Sequence, residues 1–529
     1  MHISLKNNLG FSWYQNENIF VKGYFFDEND NFLEKNNALL FLSKIQSKED
    51  FLKVIQLING CFTIIIKSNT TCFIASDTTR IFPIFYTFQN GDIHISDDII
   101  FLKKHYQIQN FDKIAELELK STLHTYGKKT LLKNVYQIQS SEYLIIKEEK
   151  IIENNFFFSY ASDTDNPASF NIQKEQAFTS FENTFKRLIK SLNNKTVALP
   201  LSGGFDSRLI AVMLKKYNYT NVICYTYGKK DSFEIQNSEK TAKYLGYKWL
   251  FIEYSENLLR NILNTTYFKN YANYAGKYSA MPNPQEYFAV HYLKENKLIP
   301  DDTIFIPGYA GDFLGGSQFL KVIPKNLEAS NIIHLIIKEK FTNYKLKKEE
   351  KKHIKNELGI VLENDIYKNK IPSSIFEDID LKEKISKYIF NSANFYTFFG
   401  YEHRFPFWDK ELLTFFKRVP EKHKIGKILF DTLLINQYFK PFKVYFKEEI
   451  QPSLKEIIIQ KIKNNIKPFL PVFIKKRFLE KNSWINYKPI ITQLESEIKR
   501  NNLPLKRQLK SYNEVIIQWY VFLAKNKLK

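Results

Sequence analysis

The sequence predicts three regions: an α+β region at the amino end, a parallel-sheet α/β region in the middle and a helical extension at the carboxyl end. Three observations predict this. Short apolar runs separated by polar turn clusters fill residues 1–155. From Lys195 onward strand-like and helix-like stretches alternate, the pattern of a doubly wound sheet. Residues 440–529 are basic and amphipathic with helical spacing. The boundaries fall at 1–158, 172–439 and 440–529, with a polar connection over 158–172.

Bulk composition limits the alternatives. A chain of 529 residues holds roughly two or three domains. Hydrophobic content of 44% and aromatic content of 16% suffice for large cores and exclude a disordered chain. Glycine and proline, 17 each, are too few for a repetitive or linker-rich protein. No apolar run is long enough to span a bilayer. The start, Met1-His2-Ile3-Ser4-Leu5-Lys6, lacks the apolar core of a secretion signal, so a cytoplasmic location is expected. The sparse cysteines, Cys61, Cys72 and Cys224, argue against a disulfide framework or a zinc site. Cys61 and Cys224 lie in apolar runs and read as core residues. The net charge is +21, and residues 440–529 carry 20 Lys or Arg against 7 Asp or Glu. Such a surface suits nucleic acid or anionic lipid. No nucleic-acid motif accompanies it, so the charge reads as solvated helix faces and nucleic acid is not an expected partner.

In chain order, strands are predicted at Asn18–Asp27, Leu57–Ile66 and Cys72–Ala75, followed by the segments Asp77–Tyr86 and Ile93–Asp98. Lys174–Asn193 repeats Phe178, Phe181, Phe185, Leu188 and Leu192 at helical spacing. Strands at Thr196–Leu201, Asn221–Thr226 and Lys248–Ile252 then alternate with helices at Asp206–Lys216 and Glu234–Leu245. Met281-Pro282-Asn283-Pro284 can start a helix over Gln285–Glu295, and Thr303–Pro307 reads as a short strand. Residues 326–395 are Lys/Glu-rich and helical, and no chemistry is legible there. Asp409 is placed to cap a helix over Lys410–Arg418.

The most informative stretch is Val197-Ala-Leu-Pro-Leu-Ser-Gly-Gly-Phe-Asp-Ser-Arg208. A buried strand meets a Ser-Gly-Gly turn that opens a helix, where free N–H groups and the helix dipole favour an anion. Gly203 and Gly204 let the backbone approach a bulky ligand, Ser202 and Ser207 add hydroxyls, and Asp206 could hold a metal that bridges phosphates. A second glycine-rich loop, Gly308-Tyr-Ala-Gly-Asp-Phe-Leu-Gly-Gly316, follows the strand at 303–307. The stretch at 197–208 reads as a pyrophosphate cradle.

Ser202-Gly-Gly-Phe-Asp-Ser-Arg208 resembles the SGGxDS loop of the ATP pyrophosphatases, in the form that asparagine synthetases carry. The loop at 308–316 is similar to the G-x-G-x-D-E-x-x-G-G loop of the same family, and Glu402-His-Arg-Phe-Pro-Phe-Trp-Asp409 resembles its E-x-R-x-P-F-x-D signature. The resemblance implies ATP and Mg²⁺ as cofactors. It assigns Leu201, Ser202, Gly203, Gly204, Asp206, Ser207, Thr226 and Gly308 to the nucleotide, with adenine near Thr226, and Asp206 and Asp312 to the metal. Tyr309 stands where asparagine synthetases have Glu and looks more like β-lactam and carbapenam synthetases, in which a Tyr–Glu pair acts as a base. Glu402 is the expected partner of Tyr309, with a structural ion pair to Arg404 as the competing reading. Lys422-His-Lys-Ile-Gly-Lys-Ile-Leu-Phe-Asp431 resembles the family's mobile lysine segment. Lys427 is the expected catalytic lysine, Lys424 the alternative, and Asp431 departs from the family's Arg.

The strand at Asn59-Gly-Cys-Phe62, the segment Asp77–Tyr86 and the strand end Ile93–Asp98 resemble landmarks of class II glutaminase domains, which implies an Ntn-type two-sheet region over residues 1–158. That chemistry needs an amino-terminal cysteine whose free α-amine serves as base. Position 2 is His2 and the first cysteine is Cys61, so a degenerate domain without glutaminase activity is expected, with a different start to the chain as the competing explanation.

The resemblance therefore implies an amide-forming ligase. It would adenylate a substrate carboxylate and transfer the acyl group to an amine or ammonia, releasing AMP and pyrophosphate. A non-catalytic nucleotide-binding scaffold and an ATP-dependent modifier of nucleic acid are the alternatives. Small-molecule acid and amine are the expected partners, and a homodimer is left open.

Overall fold

Alternation with period two builds the amino-terminal region. In the computed structural model, which describes residues 1–68, 70–230, 232–263, 266–320, 328, 331–446, 483–507 and 511–528, this region contains two sheets. The strands are β1 (His2–Ser4), β2 (Trp13–Gln15), β3 (Ile19–Phe26), β4 (Phe32–Glu34), β5 (Asn59–Ser68), β6 (Thr71–Ser76), β7 (Phe85–Gln89), β8 (Asp92–Ser96), β9 (Val135–Gln137), β10 (Glu142–Lys147) and β11 (Lys150–Phe156). One sheet has the order β1-β8-β7-β9. The other runs β11-β10-β6-β5-β3-β2, with β4 added on β3. Along β5 the side chains divide by parity. Ile65 packs between the sheets with Ile74, Ile84, Ile95 and Leu144. Phe62, Ile64 and Ile66 face the helices Lys35–Leu42 and Lys48–Leu57. Cys61, Cys72 and Cys224 are all buried and unbonded to one another.

The connection after β11 is anchored against the rest of the molecule. Tyr160 N donates to Asp378 Oδ1 at 2.6 Å, Ser162 N to Ser374 Oγ at 2.9 Å, and Tyr160 is fully buried. The polar composition of 158–172 reflects turn geometry satisfied by a neighbouring helix rather than a free tether.

The middle region forms a five-stranded sheet of β12 (Val197–Pro200), β13 (Val222–Gly228), β14 (Lys248–Glu253), β15 (Ile304–Phe305) and β16 (Glu402–His403), in the order β14-β13-β12-β15-β16. Every pairing is parallel. Crossover helices cover it: Phe170–Lys190 before β12, Phe205–Lys216 after it and Phe233–Leu245 after β13. The reversal of strand order between β13 and β15, either side of β12, opens a crevice at the carboxyl ends, where doubly wound sheets bind ligands. Asp409 caps its helix as the sequence predicts, accepting from Glu411 N at 2.9 Å. The helix expected from Gln285 begins at Tyr287 and leaves Glu286 at the cap position, free to turn its side chain inward.

The long helical stretch from Pro372 to Phe398 contains a π-helical segment over Leu381–Ile389. Of the basic extension, residues 447–482 lie outside the described residues. The helices Tyr487–Arg500 and Tyr512–Ala524 are joined by Trp519 Nε1, which donates to Glu497 Oε2 at 2.7 Å, and they pack on both preceding regions: Tyr278 N donates to Tyr520 Oη at 2.9 Å, and Lys525 reaches Glu116 at 2.5 Å. No described helix is long and apolar enough to cross a membrane.

The extension presses closely on Gly276. A Cβ there would run into the Tyr520 ring and hydroxyl, and that hydroxyl is pinned as acceptor from Tyr278 N at 2.9 Å. Tyr520 is fully buried and has no room to retreat. Gly276→Ala is expected to destabilise the protein by about 1–3 kcal/mol, the usual cost of overpacking, read by denaturant unfolding.

Candidate active site

The turn after β12 is held by its own side chains. Ser202 N donates to Ser207 Oγ at 3.1 Å, Gly204 N donates to Ser202 Oγ at 3.1 Å, and the two serine hydroxyls lie 3.1 Å apart. Arg208, buried on the helix that follows, ties the turn down by donating to Gly203 O at 2.5 Å and to Val444 O at 3.0 Å. Gly203 N donates to Glu234 Oε2 at 2.6 Å, so a carboxylate sits where an anion would meet the turn. The second glycine-rich loop approaches so closely that only glycine fits. A Cβ on Gly308 would lie 2.8 Å from Ser207 N, and one on Gly311 would lie 2.7 Å from Asp206 Cγ.

That approach brings Asp206 and Asp312 together. Asp312 N donates to Asp206 Oδ2 at 3.0 Å, and both side chains line the same cavity. Burial and then the charge of Asp312 push the Asp206 carboxyl up to about 7, with Lys427 acting the other way. Two hard carboxylates that repel each other across a cavity fit a divalent cation such as Mg²⁺. Among the described residues no third His, Cys, Asp or Glu joins them in a cluster, which leaves room for phosphate oxygens and water as further ligands.

Two cavities meet at this pair. The first, about 500 Å³, is walled by Leu201, Ser202, Gly204, Ser207, Thr226 and Lys427, with Trp484 of the extension closing it. The second, about 400 Å³, is walled by Asn283, Ser317, Lys384, Ile385, Ser392 and Phe395. Asp206, Glu286, Gly308, Tyr309 and Asp312 border both. The π-helical segment thus supplies a wall of the second cavity from a stretch in which the sequence shows no chemistry. Its wider turn does not match the 3.6-residue period by which helices are read.

Glu286 is the site residue that the sequence analysis misses. It is buried at the junction of the cavities, and four tyrosine hydroxyls converge on it: Tyr225, Tyr396 at 2.6 Å, Tyr309 at 3.0 Å and Tyr227 at 3.4 Å. Burial pushes its carboxyl above the ordinary value, and the tyrosine bonds oppose that rise. Burial and the neighbouring Glu286 charge push the Tyr309 hydroxyl well up, so it is a phenol at neutral pH. The expected pairing of Tyr309 with Glu402 does not occur. Glu402 lies on β16, level with Ile304 of β15, at the amino end of the sheet and away from the loops. It is bonded to Arg404 at 3.0 Å and to Lys195, which precedes β12, at 3.2 Å. Burial would raise this carboxyl, but Arg404 and Lys195 hold it below the ordinary value. The structural ion pair is the reading that the geometry favours.

Of the two candidate lysines, Lys427 faces the first cavity, with its ammonium 3.2 Å from Asp431. Lys424 is buried and paired with Glu377 at 2.8 Å. Gly426 and Lys427 both take left-handed φ, 68° and 58°, which turns the lysine inward. Thr226 Oγ1 lies 2.6 Å from Leu201 O and 2.7 Å from Ser238 Oγ, so this hydroxyl braces the strand ends. Trp484 closes the cavity through Lys229 N, which donates to its carbonyl at 2.8 Å, and by packing on Tyr227 at 5.3 Å. The irregular aromatic spacing of the extension hides that role.

A family model described as a family of unknown function, DUF7411, matches residues 195–278. No curated protein matches the chain. Among solved structures, an NH3-dependent NAD synthetase from Campylobacter jejuni subsp. jejuni NCTC 11168, in complex with the nitrate ion, is 16% identical over 40% of this chain and 96% of its own, with a TM-score of 0.19. An NMN synthetase from Francisella tularensis is 12% identical over 42% and 95%, with a TM-score of 0.20. A predicted subunit of tRNA methyltransferase from Methanocaldococcus jannaschii is 22% identical over 31% and 75%, with a TM-score of 0.15.

Proposed function

We propose that the protein is an ATP-dependent amide-forming ligase. It adenylates a substrate carboxylate and passes the acyl group to an amine or ammonia, with AMP and pyrophosphate as products. The observation that carries this reading is the Asp206–Asp312 pair, set under the Ser202–Ser207 turn on the shared border of two cavities. One cavity suits a nucleotide and the other suits the acceptor.

In this reading ATP lies in the first cavity, with its β- and γ-phosphates at the turn. Asp206 and Asp312 would hold Mg²⁺, which neutralises phosphate charge when bound. A carboxylate oxygen of the substrate attacks the α-phosphorus, and the bond to the β-phosphate oxygen breaks, giving an acyl-adenylate and pyrophosphate. Lys427 stabilises the negative charge that grows on the α-phosphate oxygens. The nitrogen nucleophile then attacks the acyl carbon from the second cavity, and AMP leaves with the bonding electron pair. Tyr309 takes the excess proton from nitrogen as its own hydroxyl proton moves to Glu286, 3.0 Å away. The amino-terminal region is read as a glutaminase-like fold without that activity. Cys61 is buried in mid-strand, where its amide belongs to the backbone ladder and burial pushes the thiol up.

The test is pyrophosphate–ATP exchange by the full chain with Mg²⁺ over a panel of small carboxylic acids. Exchange that requires one acid class is expected. ATP binding with no exchange for any acid would favour a scaffold.

Glu234 gives a separate prediction. Its carboxylate holds the Gly203 N–H that a phosphate oxygen would take. Glu234→Gln removes that competing charge and is expected to lower KM for ATP by about three- to ten-fold, with kcat little changed.

A further inference from the structure

A third cavity, about 650 Å³, lies between the amino-terminal region and the helix Thr266–Gly276, and it shares no lining residue with the two described above. Asn270, Asn273, Tyr274 and Lys277 line it with helical spacing, so one face of that helix is turned to it. Lys277 follows the last helical residue with φ 46°, and Tyr278 has φ 54°. Two successive side-chain-bearing residues in the left-handed region are strained, and such strain persists where the surroundings impose it. Here Lys277 N donates to Asn273 O at 3.1 Å and Tyr278 N donates to Tyr520 Oη at 2.9 Å. The turn directs Lys277 into the cavity wall.

Lys277 is 7% exposed, and its ammonium lies over the Tyr274 ring at 5.0 Å. Among the described residues this ammonium forms no hydrogen bond or ion pair. The carboxylates of the cavity are already engaged. Asp97 accepts from Lys6 N at 2.7 Å, Asn7 N at 3.1 Å and Trp13 Nε1 at 2.7 Å, and Asp98 caps a helix through Ile100 N at 2.8 Å. Lys103 is tied to Ala524 O at 2.7 Å and to the Tyr278 hydroxyl at 3.0 Å. Asn273 Oδ1 is buried and has no partner. Burial, with Lys22 and Arg80 nearby, pushes the Lys277 amine down to about 7, against the pull of Asp97 and Asp98. Asn273 Oδ1 lacks a donor, and the Lys277 ammonium, beside the open space, lacks an anion, so a ligand that supplies both offsets a desolvation cost.

We propose that this cavity binds a small oxyanion that carries its own hydrogen-bond donor, the anionic oxygens on Lys277 Nζ and the donor on Asn273 Oδ1. The inference is independent of the ligase reading.

Trace labelling of the full chain with an amine-reactive reagent at neutral pH, resolved by peptide mass spectrometry, reports on Lys277 directly. Inorganic phosphate, glycolate and acetate are the probes, titrated at constant ionic strength. Lys277 is expected to label without added anion, and labelling should fall about ten-fold or more as phosphate or glycolate saturates in the millimolar range. Acetate, which lacks a donor, should protect more weakly. In Lys277→Met, calorimetric binding of the protecting anion should disappear while cooperative thermal unfolding persists. Absence of labelling, or labelling that no probe reduces, overturns the site. Protection by acetate equal to that by glycolate overturns the role of Asn273.

Discussion

Asp312→Asn is expected to abolish formation of AMP and pyrophosphate, with a loss of at least about a hundred-fold, while leaving the protein as stable as before or more so. The pair of outcomes follows from one fact. Asp206 and Asp312 lie together at a half-buried site, and desolvation followed by their mutual repulsion pushes Asp206 up to about 7. A bound cation would turn that repulsion into coordination, and without a cation the repulsion persists. Asparagine has nearly the same shape and keeps the backbone bond from residue 312 to Asp206 Oδ2, so the loops retain their geometry. It removes the charge that would hold a metal and, with it, the repulsion. Activity assays and thermal unfolding on one sample check both outcomes. Loss of activity accompanied by unfolding would mark Asp312 as a structural residue.

Glu286→Gln should separate the two half-reactions. Pyrophosphate exchange is expected to survive because adenylation does not use this carboxylate, whereas amide formation should fall by about 10²–10⁴, the range of a lost general base. Glutamine fills the same space but cannot take a proton from Tyr309. Glu402→Gln should behave in the opposite manner. It leaves Arg404, which is 1% exposed, without its carboxylate partner and is expected to cost about 3 kcal/mol of stability. Any protein that remains folded should keep both half-reactions. An amide-forming step that depended on Glu402 and not on Glu286 would restore the pairing inferred from sequence.

The contrast between these two glutamates shows what sequence can and cannot deliver. The strand, turn and helix around Ser202 are local, so apolar runs and glycines reveal them. The partnership of Asp206 with Asp312 is legible because each sits in its own glycine-rich turn. Glu286 has no such setting. Its partners Tyr225 and Tyr227 on β13, Tyr309 and Tyr396 come from three separate segments, and only the parallel sheet and the helix Phe390–Phe398 bring them to one point. Glu402 has the opposite problem. It stands in a recognisable signature, but strand register places it at the wrong end of the sheet. Trp484 is separated from the rest of its cavity by a long stretch of chain, and nothing in its neighbourhood marks it as a lid.

Adenylation requires that a carboxylate oxygen of the substrate attack the α-phosphorus of ATP. An acid that supports turnover, labelled with oxygen-18 in its carboxyl group, and mass analysis of the nucleotide product check that step. Adenylation followed by attack of the amine on the acyl carbon transfers one labelled oxygen to AMP, and that is the predicted result. AMP without label, or ADP and phosphate as products, would contradict it.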